Sequence, residues 1–159
     1  MFLTYKLYIT MTEFKVVLIW EAESNDFSYK NYTRTHSWKF GGGMEVKASA
    51  APEYLGNPEF VNPEEAFIAS LASCHLLTFL AIASFKKLEI KSYEDNATGL
   101  IEKNTDNKLA VTKVYLRPKV EFSGENKPGE DELKKMHQKA HVECFISNSV
   151  LTNILIEPQ

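Results

Sequence analysis

Residues Asn62 to Phe85 read NPEEAFIASLASCHLLTFLAIASF, and this stretch decides the fold. Asparagine caps helices well, proline suits a first helical turn, and Glu64 and Glu65 complement the positive end of a helix dipole. The helix they start is apolar nearly all round, the pattern of a central, covered element. From Ala66 to Phe85 it is also long enough to cross a bilayer, which takes about 20 residues. His75, Thr78 and the serines at 70, 73 and 84 favour the core of a soluble domain, so no membrane partner is expected.

Strand-forming segments lie on both sides of this helix. Phe14 to Glu21 is rich in strand formers, and Tyr29 to Phe40 alternates aromatic and polar residues with the period of two expected of a strand. Gly41-Gly42-Gly43 reads as a turn and Met44 to Ala50 as the returning strand; two prolines and a glycine between Ala51 and Val61 make a loop. After the helix come two long strand patterns, Ile90 to Glu102 and Leu109 to Phe122, separated by turn residues at 104–107. Asp131 to Phe145 reads as a second helix and Leu151 to Glu157 as a last short strand. The order of elements predicts an α+β fold with an antiparallel sheet.

The chain of 159 residues suits one domain, residues 11–159, with residues 1–10 as an amino-terminal extension ahead of a second methionine, Met11. A formal net charge of -3 gives no sign of a nucleic-acid surface. The amino terminus lacks the long apolar core and small-residue cleavage site of a secretory leader, so a cytoplasmic location is expected. Two cysteines are too few for a secreted disulfide scaffold, and in a reducing compartment a bond between them would be transient and catalytic.

Those cysteines, Cys74 on the first helix and Cys144 near the end of the second, are the candidates for chemistry. A peroxide-reducing thiol must ionise, needs a cation beside it, and needs a second thiol to trap the sulfenic acid. Helices packed face to face lie about 8–10 Å apart, close to disulfide reach for inward side chains. Two small buried hydrophobes are the plainer reading of the same pair. The candidate cation is Arg34, among Tyr32, His36, Trp38 and Phe40; Arg117 is its rival, and Glu64 a carboxylate suited to orient it by a bidentate pair. Ten residues of helix, about 15 Å, separate Glu64 from Cys74, so one straight helix cannot bring both to one site. A two-fold partner supplying Glu64 is the simpler solution, which points to a homodimer.

A metal reading competes. His137, His141 and Cys144 fall at i, i+4 and i+7, and Cys74 would complete a tetrahedral zinc site. Against it, Cys74 and His75 point about 100° apart, so only one of them can join. His137 also sits among Lys134, Lys135 and Lys139, read here as a solvated face. No metal or other cofactor is expected. A cysteine–histidine hydrolase is weaker still, since no G-x-S-x-G elbow is present.

NPEEAFIASLASCH (Asn62 to His75) and AHVECFISNSVL (Ala140 to Leu151) together resemble the OsmC/Ohr family, the osmotically inducible and organic hydroperoxide resistance proteins. The resemblance covers roughly Phe14 to Glu157. It implies antiparallel sheets wrapped around a long central helix plus a second helix, in an intertwined homodimer. It also implies that Cys74 is the peroxidatic cysteine, Cys144 the resolving one, and Glu64 the partner of the site arginine. The implied activity is reduction of organic hydroperoxides, with hydrogen peroxide as a further substrate, in defence against oxidative stress. A dithiol such as dihydrolipoamide would act as external reductant. His75 stands where an aromatic residue is usual, and Phe145 replaces the common proline after the second cysteine. These departures look like a generic OsmC-like branch. His75, Tyr32 and His36 are expected to line the substrate pocket, with packing the favoured of the two readings for His75. The alternative function is a non-enzymatic protein holding a small apolar ligand at the dimer cleft.

Overall fold

The computed structural model describes residues 12–159, so the expected extension at 1–10 lies outside the described residues. The chain divides between Pro63 and Glu64 into two compact units. In the first, β1 (Val16–Ile19), β2 (His36–Phe40) and β3 (Glu45–Ala48) form an antiparallel sheet in that order, with Trp38 opposite Leu18 on one side and Val46 on the other. The strand expected from Tyr29 begins only at His36. Asp26 explains the delay: its carboxylate accepts bonds from the Ser28 N–H (2.9 Å) and the Asn31 side chain (2.5 Å). The Asn31 and Tyr32 amides then donate to the Ser28 carbonyl, both at 3.0 Å. A local aspartate that satisfies the backbone competes with a ladder, and here it makes a turn. The loop from 51 to 61 contains one short 3₁₀ turn, Pro52–Tyr54.

The second unit is built on α1 (Pro63–Phe85). Leu71, His75, Phe79, Ile82 and Ala83 form its buried stripe, at the spacing of one helix face. Toward the amino-terminal end, Leu71 with Phe67, Ile68 and Ala72 packs on Val111, Val114, Leu116, Ile154 and Ile156. Toward the other end, Phe79, Ile82 and Ala83 pack on Met136 and Ala140, with Ile90, Tyr93, Val120 and Phe122 around them. Gly99 permits the close approach at the first end, since a Cβ there would stand 2.6 Å from Cδ1 of Ile68. One stripe of α1 is thus buried in these two cores; the helix is also long and apolar enough to cross a membrane.

Each of the two long predicted strands is broken in two. β4 (Ile90–Asp95) pairs with β7 (Pro118–Phe122), and β5 (Thr98–Lys103) with β6 (Leu109–Leu116). Both breaks fall at one level, where the Arg117 N–H donates to Asp95 (2.6 Å) and Pro118 offers no amide hydrogen. The sheet is not wholly antiparallel, because β8 (Asn153–Ile156) joins β6 in parallel, with Val114 opposite Ile154. α2 (Glu130–Glu143) carries Glu130, Asp131 and Glu132 in its first turn, where acidic groups are favoured.

Candidate functional site

Cys74 lies on α1 one position before His75 and is half-buried; its carbonyl accepts a bond from the Thr78 hydroxyl at 2.8 Å. Cys144 ends α2. Its backbone is extended there (φ -73°, ψ 116°), which turns the chain at the end of the helix into the tight 3₁₀ segment Ser147–Ser149. The Asn148 amide donates to the Cys144 carbonyl at 3.1 Å, the Asn148 side chain to the Val142 carbonyl at 3.0 Å, and the Ser149 hydroxyl to the Phe145 carbonyl at 2.7 Å. These bonds fix Cys144, whose side chain is fully buried and accepts the Ser147 N–H on Sγ at 3.4 Å.

Both thiols are free, and each shifts the ionisation of the other. Burial pushes the Cys74 thiol up, and the Cys144 sulfur adds to the rise; the backbone N–H groups of Ile146 and Phe145 oppose it. Burial acts upward on Cys144 as well, but the bonds from Cys74 and Ser147 outweigh it and hold that thiol below its ordinary value. Within this unit Cys144 is therefore the easier of the two thiols to ionise. The groups that set Cys74 are burial, a second thiol and two amides, none of them a cation.

Arg34 is engaged within its own unit. Its guanidinium donates to the carbonyls of Tyr32 (2.8 Å) and Tyr29 (2.6 Å), and lies 4.1 Å from the centre of the Tyr32 ring. His36 Nδ1 stands 2.8 Å from the Arg34 carbonyl oxygen. The rival, Arg117, is held by Glu157 (3.1 Å) and the Thr98 hydroxyl (2.9 Å). Glu64 lies in the first turn of α1 with its Oε2 buried and without a hydrogen-bond partner among the described residues.

The histidines depart most from expectation. His75 is fully buried, so it packs in the core and opens to no solvent; its Nε2 stands 3.1 Å from Nδ1 of His137. His137 is not on a solvated face, being only 2% exposed. Phe79 stacks on its ring at 4.3 Å. The spacing of Leu133, Met136, Ala140 and Cys144 carried the information, because position 137 falls on the same stripe of α2. Among the described residues no three histidine, cysteine or acidic side chains converge as a metal site would require.

A family model described as OsmC-like protein matches residues 56–159, well over half of the chain. The chain belongs to the OsmC-like family. A solved structure of an OsmC-like protein of unknown function, VCA0330 of Vibrio cholerae O1 biovar eltor, is 45% identical, with a TM-score of 0.91 over 94% of this chain and 100% of that one. The Bacillus subtilis protein YmaD is 24% identical over 117 residues, 73% of this chain and 77% of the relative. The organic hydroperoxide resistance protein OhrB of Bacillus subtilis shares the fold, with a TM-score of 0.67 at 17% identity over 94% of this OsmC-like chain and 100% of that one.

Proposed function

We propose that this OsmC-like protein is a two-cysteine thiol peroxidase acting on organic hydroperoxides. The observation that carries the reading is the pairing of two free thiols, one from α1 and one from the end of α2. In the proposed cycle the Cys74 proton passes to Cys144, and the Cys74 thiolate attacks the outer peroxide oxygen. The O–O bond breaks, the alkoxide leaves as an alcohol on taking up a proton, and Cys74 becomes a sulfenic acid. Cys144 attacks that sulfur, the S–S bond forms and water leaves. An external dithiol such as dihydrolipoamide reduces the disulfide by exchange.

Arg34 is proposed to stabilise the thiolate and the developing alkoxide, an electrostatic role that suits guanidinium. Glu64 from a second copy of the chain is proposed to orient it. Two features support assembly as a homodimer. The buried Glu64 Oε2 has no partner among the described residues, and a buried carboxylate oxygen left unpaired is costly. In the most apolar window of α1 only 28% of the residues are buried, and Leu77, Phe85 and Phe145 stand exposed.

Stopped-flow mixing with an alkyl hydroperoxide, read as thiols lost and alcohol formed, tests the reading. Loss of both thiols per alcohol released, reset by dihydrolipoamide, is expected. Binding without thiol loss would identify the non-enzymatic carrier instead.

A further inference from the structure

The turn that follows α2 divides its backbone amides between the two sulfurs. The Ser147 N–H donates to Cys144 Sγ at 3.4 Å, the Asn148 N–H to the Cys144 carbonyl at 3.1 Å, and the Ser149 N–H to the Ile146 carbonyl at 3.0 Å. The two amides that open the turn, those of Phe145 and Ile146, have no backbone acceptor among the described residues. Successive N–H groups left over by a turn suit a nearby anion.

Against the burial that pushes the Cys74 thiol up, the N–H groups of Ile146 and Phe145 act in the direction that favours its charged form. Ser147 and Ile146 act likewise on Cys144, against its own burial. Phe145 therefore serves Cys74, Ile146 both sulfurs, and Ser147 Cys144. Phe145 thus favours charge on the thiol that is harder to ionise. Its side chain takes no part in this, being 82% exposed; what position 145 brings to the site is a backbone N–H.

We propose, on the thiol-peroxidase reading above, that the Phe145 backbone N–H is a catalytic donor, hydrogen-bonding the Cys74 sulfur in its attacking, thiolate form. The N–H keeps its proton throughout. The thiolate electron pair forms the S–O bond, and the O–O pair leaves with the alkoxide. The donor acts on how much thiolate is present near neutral pH, and a more acidic thiol is also a weaker nucleophile. Proline is the substitution that deletes this N–H and little else. Cys144 already has the extended backbone preferred ahead of proline, no backbone bond is lost, and the exposed ring is no part of the core. Phe145→Ala removes the same ring and keeps the N–H, so comparing the two isolates one hydrogen.

Both variants are made in the full chain carrying Cys144→Ser, where Cys74 is the one thiol left and a hydroxyl remains to accept from Ser147. The pH profile of alkylation by iodoacetamide gives the Cys74 titration without any peroxide. Below that titration Phe145→Pro should hold about tenfold less thiolate than Phe145→Ala, the loss of one hydrogen bond to a charged acceptor. Oxidation by an alkyl hydroperoxide should be only about threefold slower there, and about threefold faster above both titrations, because the less acidic thiolate is the better nucleophile. A turn merely disturbed by proline would slow oxidation at every pH, and that result overturns the inference. Coincident titrations of the two variants overturn it as well, whether or not peroxide reacts. Titrations that differ as expected, with no thiol lost to hydroperoxide in the unsubstituted chain, would keep the hydrogen bond and bring down the peroxidase reading. Should circular dichroism show Phe145→Pro unfolded, the Phe145 amide proton decides. It should move downfield through the Cys74 titration in the Cys144→Ser chain, and a stationary resonance overturns the inference.

Discussion

Nε2 of His75 and Nδ1 of His137 stand 3.1 Å apart, joining α1 to α2 in the core by one imidazole–imidazole bond. Both rings are held near a pKa of about 4, for both through burial and for His75 also through the charges of His137 and His141. The unfolded chain binds these protons near pH 6.5. Between about pH 6.5 and 4 it therefore holds more protons than the folded chain, and stability falls as pH falls. The loss is about 2 kcal/mol per histidine near pH 5. Urea midpoints measured near pH 7.5 and pH 5 should show it. The double variant His75→Leu/His137→Leu should lose most of the difference, because replacing both partners by apolar groups is nearly neutral in itself. An equal acid sensitivity in that variant would contradict the assignment.

Lys87, just past the end of α1, has a positive φ of 57°, while the Leu88 amide donates to the Ala83 carbonyl at 3.0 Å. That bond marks a Schellman cap, whose left-handed position glycine usually fills. A side chain there costs about 1–2 kcal/mol, partly regained because glycine loses more entropy on folding. Lys87→Gly should accordingly stabilise the chain by about 0.5–1 kcal/mol in chemical denaturation. An unchanged or lower midpoint would mean that the lysine makes up the backbone cost.

The legible parts of the sequence were those specified by neighbours in the chain. Asn62-Pro63-Glu64-Glu65 announced α1, and the triple glycine announced the β2–β3 turn. Long-range choices were not legible. Nothing near Asp95 marks a break, which arises because Arg117 reaches it across the sheet. The parallel pairing of β8 with β6 depends on where Leu116 lies and not on residues 153–156 alone. His137 misled because three lysines flank it, yet alternating charged and buried residues are what an amphipathic helix requires. For the candidate site, the helix arrangement put Cys74 on α1 and Cys144 at the end of α2, and each thiol shifts the other's ionisation. The Tyr29–Tyr32 carbonyls that hold Arg34 followed from the Asp26 turn, which residue periodicity did not reveal.

Glu64 offers a test of the proposed dimer site. Its buried Oε2 has no partner among the described residues. If Arg34 of another copy supplies the partner, Glu64→Gln and Arg34→Lys should each lower kcat/KM for an alkyl hydroperoxide about tenfold, the effect of losing one charge-assisted bond. The double variant should fall little further than either single one, since the two act as one unit. Additive losses would separate the residues. A more stable Glu64→Gln protein with full activity would leave the carboxylate with no role in catalysis.

The division of labour proposed for Cys74 and Cys144 can be tested independently by titration and by turnover. The bond from Cys74 helps to hold the Cys144 thiol down, so Cys74→Ala should move the Cys144 titration upward, read from the ultraviolet absorbance of the thiolate. Cys144→Ala removes a group that raises Cys74 and should move the Cys74 titration downward. Turnover then decides which sulfur attacks. With Cys74 as nucleophile, Cys74→Ser should abolish peroxide reduction. Cys144→Ser should retain the first oxidation but go on to the sulfinic acid, because no thiol remains to trap the sulfenic acid. The reverse pattern would follow if the sulfur that is easier to ionise in the folded chain were also the one that meets peroxide. Exposure argues against that reversal: Cys144 is fully buried and Cys74 only half-buried, and a peroxide must reach the sulfur it oxidises.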